Sequence, residues 1–114
     1  MTTKPHIMKI IVNNIYPNVQ IDKMPDLAET RKEIDAIDTQ IVALLAKRSS
    51  LMIPLAQYKK EHALPVEQFA REKELLARVK MLAEVKGLDG AFVEGIFTDI
   101  IAHCKDVQRK AMKK

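Results

Sequence analysis

The chain contains no tryptophan, three glycines and one cysteine among 114 residues, and only 4% of its positions are aromatic. Each scarcity excludes something. A lone Cys104 rules out an intrachain disulfide framework and fits a reducing compartment. With so few aromatics, lysine and arginine lack the stacking partners that nucleic-acid surfaces place among them, so no nucleic-acid partner is expected. No stretch approaches the roughly 18 consecutive apolar residues of a spanning helix, which removes the membrane as a partner. The opening "MTTKPHIMKIIVNN" has Lys9 inside its short apolar run and no small-residue cleavage site. It does not read as a secretory leader, and a cytoplasmic location is expected. There is no internal repeat and no low-complexity segment.

What remains is an ordinary mixture, 47% hydrophobic and 30% charged, with a formal charge of +4. Much of the positive excess sits in the tail "KDVQRKAMKK", where cations meet the negative end of a helix dipole. A mild positive field also draws in small anions. Residues 1–24 are β-branched and contain Asn13-Asn14 and Pro17 without helical periodicity, so they read as an extended arm. From 25 to 114 the pattern turns helical, and the fold class is all-α with three helices. The first is expected to run from Pro25-Asp26 to about Glu61. Its seam carries Leu27, Ile34, Ile41, Arg48 and Leu55 at one heptad position and Thr30, Ile37, Leu44, Leu51 and Tyr58 at the other. Pro54 interrupts the backbone ladder, but the apolar register continues past it, which favours a kink over an end. A second helix is expected to open at Pro65, carry Val66, Phe69, Leu76 and Val79 inward, and close at Gly87. Asp89 caps a third, whose stripe is Val93, Ile96, Phe97, Ile100, Ile101, Cys104 and Gln108.

A first helix over 25–61 would be about 55 Å long at 1.5 Å per residue. A compact chain of this length has a radius of gyration of about 13 Å. Such a helix must project beyond its own domain, and its cheapest cover is a second copy of itself. An intimate C2 homodimer is expected.

Polar residues on the apolar faces carry the functional signal. Arg48 stands in the middle of the first seam, where one charge can set coiled-coil register or snorkel to water. Lys59 and Arg31 lie on the adjoining stripe, so three cations line a face otherwise devoted to burial. That arrangement is costly unless anions answer it. Asp38 can answer Arg31; a bound dicarboxylate would answer the others, because arginine presents a bidentate fork to such groups. Arg31 and Arg48 are about 25 Å apart along the axis, too far for one small ligand. In an antiparallel dimer, Arg31 of one chain arrives beside Arg48 and Lys59 of the other. The second helix adds Gln68, Arg71 and Glu72, whereas Glu67, Lys73 and Glu74 read as a solvated face with ion pairs. On the third, Gln108 follows Cys104 by one turn, and a buried amide needs partners. His103 and Cys104 are no metal pair, since adjacent helical residues point apart. His6 and His62 look incidental, and no metal site is expected.

In their order and spacing, "RKEIDAIDTQIVALLAKR", the lysine of "QYKK", "REKELL" after "LPVEQ" and the late "IIAHCKDVQ" closely resemble the all-helical, type II chorismate mutases. The resemblance covers roughly residues 27–110. It implies an intertwined dimer of three-helix chains with two sites across the interface, and the rearrangement of chorismate to prephenate in aromatic amino acid biosynthesis, without a cofactor. It further implies that Arg48 and the partner subunit's Arg31 bind the substrate carboxylates and that Lys59 and Gln108 donate to the ether oxygen. Glu72 would hold the ring hydroxyl, with Arg71 supporting that end. Gln68 stands where many relatives are acidic, and Cys104 where a serine often donates to a carboxylate. The same fold hosts isochorismate-pyruvate lyases, in which an apolar residue typically stands at the place of Glu72. A non-catalytic helical dimerisation module would explain the seam but not the three cations with Gln108.

Overall fold

Asp26 starts the first helix. Its backbone is extended, and its Oδ1 accepts from the Ala28 N–H at 3.0 Å, which satisfies a donor that the first turn leaves free. The computed structural model describes residues 26–113, so the expected extended arm over 1–24 lies outside the described residues. Among these, every regular element is α-helical. Helix α1 spans Leu27–Ser50 and α2 spans Met52–Glu61. Only Leu51 separates them, and its φ of −71° and ψ of −14° are still helical. The cause is Pro54, which has no N–H to offer the Ser50 carbonyl and crowds it with its ring. The Ser50 hydroxyl donates to the Lys47 carbonyl at 2.7 Å, and the ladder resumes where Leu55 N–H reaches Leu51 O at 3.3 Å. The long first helix is thus present as two segments with an interruption one turn before the proline.

Helix α2 ends in a Schellman turn. Leu64 N–H donates to Lys59 O at 2.7 Å and Ala63 N–H to Lys60 O at 3.3 Å. The turn requires a left-handed residue at its centre, and Ala63 adopts it with φ of 52°. Helix α3, Phe69–Val85, ends the same way: Leu88 N–H reaches Ala83 O at 2.8 Å and Gly87 N–H reaches Glu84 O at 3.1 Å. There the centre is Gly87, φ 78°, the residue expected to close the helix.

Helix α3 opens at Phe69 rather than at Pro65. The intervening residues are held by tertiary bonds: Val66 O accepts from Lys59 Nζ, and the Glu67 carboxylate accepts from Lys105 and Arg109. Gln68, with φ of −130° and ψ of 75°, is the non-helical entry residue. Phe69 is 74% exposed in the single chain rather than inward, because the buried stripe of α3 begins only at Leu75, nearer the middle of the helix.

Helix α4, Gly90–Met112, is capped by Asp89, whose Oδ1 accepts from Ala91 N–H at 3.0 Å. A Cβ on Gly90 would come within 2.7 Å of Lys80 Cγ, so this glycine permits the close approach of α4 to α3. Helix α4 packs against both α3 and α2. Leu75, Val79 and Ile101 form the core, with Leu76, Val93 and Phe97 against them. Helix α1 contributes no buried residue. Its seam, including Ile34, Ile37, Ile41 and Leu44, stands exposed, and the radius of gyration is 19.4 Å. No helix among the described residues is long and apolar enough to cross a membrane.

The two Schellman turns make a paired test. A left-handed alanine carries steric strain that glycine lacks, offset in part by the greater freedom of unfolded glycine. Ala63→Gly should raise unfolding stability by about 0.5–1 kcal/mol, and Gly87→Ala should lower it by about as much. Urea melts of both variants check this; equal signs for the two substitutions would contradict it.

Candidate active site

Four helices and one connection enclose a cavity of about 390 Å³. Arg48 reaches it from the end of α1, Met52, Leu55 and Lys59 from α2, and Ile101, Cys104, Lys105 and Gln108 from α4. Glu72 and Leu75 on α3, with Val66 and Gln68 before it, complete the wall. The helical repeat accounts for the α4 set: Ile101, Cys104, Lys105 and Gln108 recur at spacings of three and four, so they share one face.

At its centre is a buried ammonium on a buried amide. Lys59 is 7% exposed and Gln108 4%. Lys59 Nζ donates to Gln108 Oε1 at 2.7 Å and to Val66 O at 3.1 Å. Because the amide oxygen is taken by the lysine, the amide NH₂ must point elsewhere. Its described partner is a weak acceptor, Met52 Sδ at 3.5 Å. Burial pulls the Lys59 pKa below the ordinary lysine value, and the nearby Glu72 carboxylate partly offsets that.

Arg48 is half-buried, and its guanidinium donates to Cys104 Sγ at 2.9 Å. A thiol sulfur is a poor acceptor for a guanidinium, so most of the fork remains available to an anion. Glu72 is bound on both oxygens, Oε1 by Lys105 Nζ at 2.9 Å and Oε2 by the Gln68 backbone N–H at 3.2 Å. The Lys105 bond is the largest cause of a Glu72 pKa held below the usual glutamate range; the Gln68 N–H and the charges of Lys105 and Lys59 act the same way, and burial opposes them. In return, Glu72 and then Glu67 raise the Lys105 pKa.

Arg48, Lys59, Gln68, Arg71, Glu72, Cys104 and Gln108 therefore all line one cavity. Arg71 does so from an exposed position and pairs with Glu74 at 2.7 Å. Arg31 is not among the lining residues of its own chain; it is exposed on α1. Two residues were not legible as part of the site. Lys105 was absorbed into the basic tail, and Glu67 into a solvated face, yet Lys105 bridges Glu67 and Glu72, and Glu67 also takes Arg109. The available signal was the i, i+4 pair Lys105 and Arg109 flanking Gln108. Among the described residues, no cluster of three or more His, Cys, Asp or Glu side chains could hold a metal ion.

Comparisons with known proteins show the family of the chain. The family profile of chorismate mutase type II matches residues 30–109. A chorismate mutase of Methanocaldococcus jannaschii is 34% identical over 88 residues, covering 77% of this chain and 89% of that protein. A bifunctional chorismate mutase/prephenate dehydratase of Buchnera aphidicola is 35% identical over 89 residues, 78% of this chain but 23% of the relative. One from Aquifex aeolicus is 35% identical over 92 residues, covering 76% and 25% respectively. The chain thus spans about a quarter of these two bifunctional relatives and nearly all of the single-function one. It belongs to the type II chorismate mutase family.

Proposed function

We propose that the chain rearranges chorismate to prephenate, a step of aromatic amino acid biosynthesis, as a homodimer whose two sites each borrow Arg31 from the other chain. The observation that carries this is the convergence of Arg48, Lys59 and Gln108 on one cavity that Glu72 also lines. A reducing compartment such as the cytoplasm suits the free thiol of Cys104.

The rearrangement is pericyclic: a carbon–carbon bond forms as the ether carbon–oxygen bond breaks. It needs no nucleophile. Protein can assist by holding the reactive conformer and by stabilising charge that builds on the ether oxygen. An ammonium has three donors. Two of those on Lys59 are directed at Gln108 Oε1 and Val66 O, which leaves one for the ether oxygen. The Gln108 NH₂, oriented by the same bond and matched only to a thioether, supplies a second. Both donors are fixed before substrate arrives, so little reorganisation is needed in the transition state. The guanidinium of Arg48 takes one substrate carboxylate, and the partner subunit's Arg31 takes the other. Glu72 accepts from the ring hydroxyl, with Gln68 and Arg71 bounding that end and Cys104 beside Arg48.

The dimer follows from α1. A helix with no buried residue and a continuous apolar seam is not stable against water, and its Arg31 lies about 25 Å from the cavity of its own chain. An antiparallel second copy covers the seam and delivers the arginine.

Purified protein incubated with chorismate should lose the diene absorbance of the substrate and yield prephenate. Pyruvate and salicylate from isochorismate, with no prephenate from chorismate, would instead identify a lyase. No turnover of either by the folded protein would leave a dimerisation module. The Gln108→Glu variant tests the donor role. A carboxyl there donates only when protonated, and Lys59 beside it would favour the ionised form. Its activity should fall roughly tenfold per pH unit above the carboxyl pKa, moving the optimum to acid, while the parent stays flat through neutrality. A pH–rate profile unchanged by the substitution would remove Gln108 from the mechanism.

A further inference from the structure

Lys105 is a cavity-lining cation to which the rearrangement itself assigns no task. It stands on α4, one residue after Cys104 and one turn before Arg109. Its Nζ lies 2.9 Å from Glu72 Oε1 and 3.0 Å from Glu67 Oε2. The second oxygen of Glu67 accepts from the Arg109 guanidinium. Lys105 and Glu72 are each 21% exposed, which sets them apart from the more exposed pair Arg71–Glu74. Exposed pairs contribute little, whereas a partly buried, multiply bonded carboxylate is held in one geometry.

The connection between α2 and α3 is fastened at each successive residue. Val66 O takes Lys59, the Glu67 side chain takes Lys105 and Arg109, and Gln68 N–H goes to Glu72. These bonds from Val66, Glu67 and Gln68 all end on a residue of the cavity or on the Lys105–Arg109 pair. Glu72 has one oxygen on a lysine and the other on a backbone amide, which fixes its plane. A carboxylate offers about four lone-pair directions, so capacity remains for a hydroxyl donor.

We propose that Lys105 is a positioning residue for Glu72, aiming its carboxylate into the cavity as the acceptor for the substrate's ring hydroxyl, with Glu67 and Arg109 anchoring the lysine in turn. This rests on the reading that Glu72 receives that hydroxyl. The charged groups that line the cavity with Glu72 are Lys105 from α4, Lys59 from α2, Arg48 from α1 and Arg71 from its own helix; Glu67 is joined to them through Lys105, and Arg109 through Glu67. Of these, Lys105 makes the largest contribution to keeping Glu72 ionised. The sign follows: without the lysine the Glu72 pKa rises, and the acid limb of activity moves to higher pH.

The test uses the full chain with Lys105→Gln, Lys105→Arg and Glu72→Gln. Carbon-13 titration of the glutamate side chains, with the Glu72 signal identified by its loss in Glu72→Gln, should show the Glu72 midpoint moved up in Lys105→Gln and restored in Lys105→Arg. With chorismate, Lys105→Gln should lower kcat on the order of tenfold, with its acid limb shifted in parallel. In the Glu72→Gln background the same substitution should add nothing. A Glu72 midpoint unmoved by Lys105→Gln would overturn the proposal. So would an equal loss of rate with and without Glu72, accompanied by a lower melting temperature, which is the mark of a tie that only holds α4 to the connection. If Glu72→Gln is impaired but Lys105→Gln is not, the positioning role alone fails. If Glu72→Gln turns over chorismate normally, the hydroxyl reading fails as well, and the carboxyl titration distinguishes the two cases.

Discussion

A buried ammonium has to be answered, and the Lys59–Gln108 bond is the answer on which the rest of this chain depends. It joins α2 to α4 at 2.7 Å in a place where both partners are buried. Breaking such a pair by removing one member leaves an uncompensated buried charge or amide, a large penalty for a small domain. The Schellman turn at the end of α2 places Lys59 three positions from the C-cap and uses its carbonyl to close the turn. The same residue thus caps its helix with its backbone and holds Val66 and Gln108 with its side chain. Local chain chemistry and site geometry meet in one residue.

The second constraint is length. Helices α1 and α2 together are too long for the small core that α3 and α4 can offer, and α1 buries nothing within its own chain. The apolar seam and the remote Arg31 are two consequences of that geometry, and the proposed second copy would resolve both. Arg48 sits where they meet. It is at the last turn of α1, close enough to α4 to touch Cys104 and close enough to the exposed seam to face a partner.

The sequence disclosed features whose cause is local. Gly87 and Asp89 cap helices by chemistry that acts within a few residues, and each is readable from the sequence, as is the helix start near Pro25-Asp26. Spacing alone puts Cys104 and Gln108 on one face of the last helix and Arg48 and Lys59 on or beside the first seam, but it does not say which of them meet. The entry to α3 was not, because Pro65 has every local reason to begin a helix. Cations on other helices instead hold Val66 and Glu67 out of it. Lys105 was missed for the same reason: its role is set by Glu67 and Glu72, more than thirty residues away. The inward placement expected of Phe69 failed because the buried stripe of α3 starts at Leu75, which periodicity could not locate without the true start of the helix.

The claim that one site draws on two chains is tested most directly by mixing two inactive proteins. Removing either arginine leaves a substrate carboxylate without its charge-assisted partner, a loss of about 2–5 kcal/mol for a buried pair. Arg31→Ala and Arg48→Ala homodimers should each be nearly inactive. Unfolded and refolded together, they should form heterodimers in which one site carries both lesions and the other neither. Random pairing makes about half the dimers mixed, so about a quarter of the parent activity should return. Failure to recover activity, with heterodimers shown to be present, would contradict the shared site.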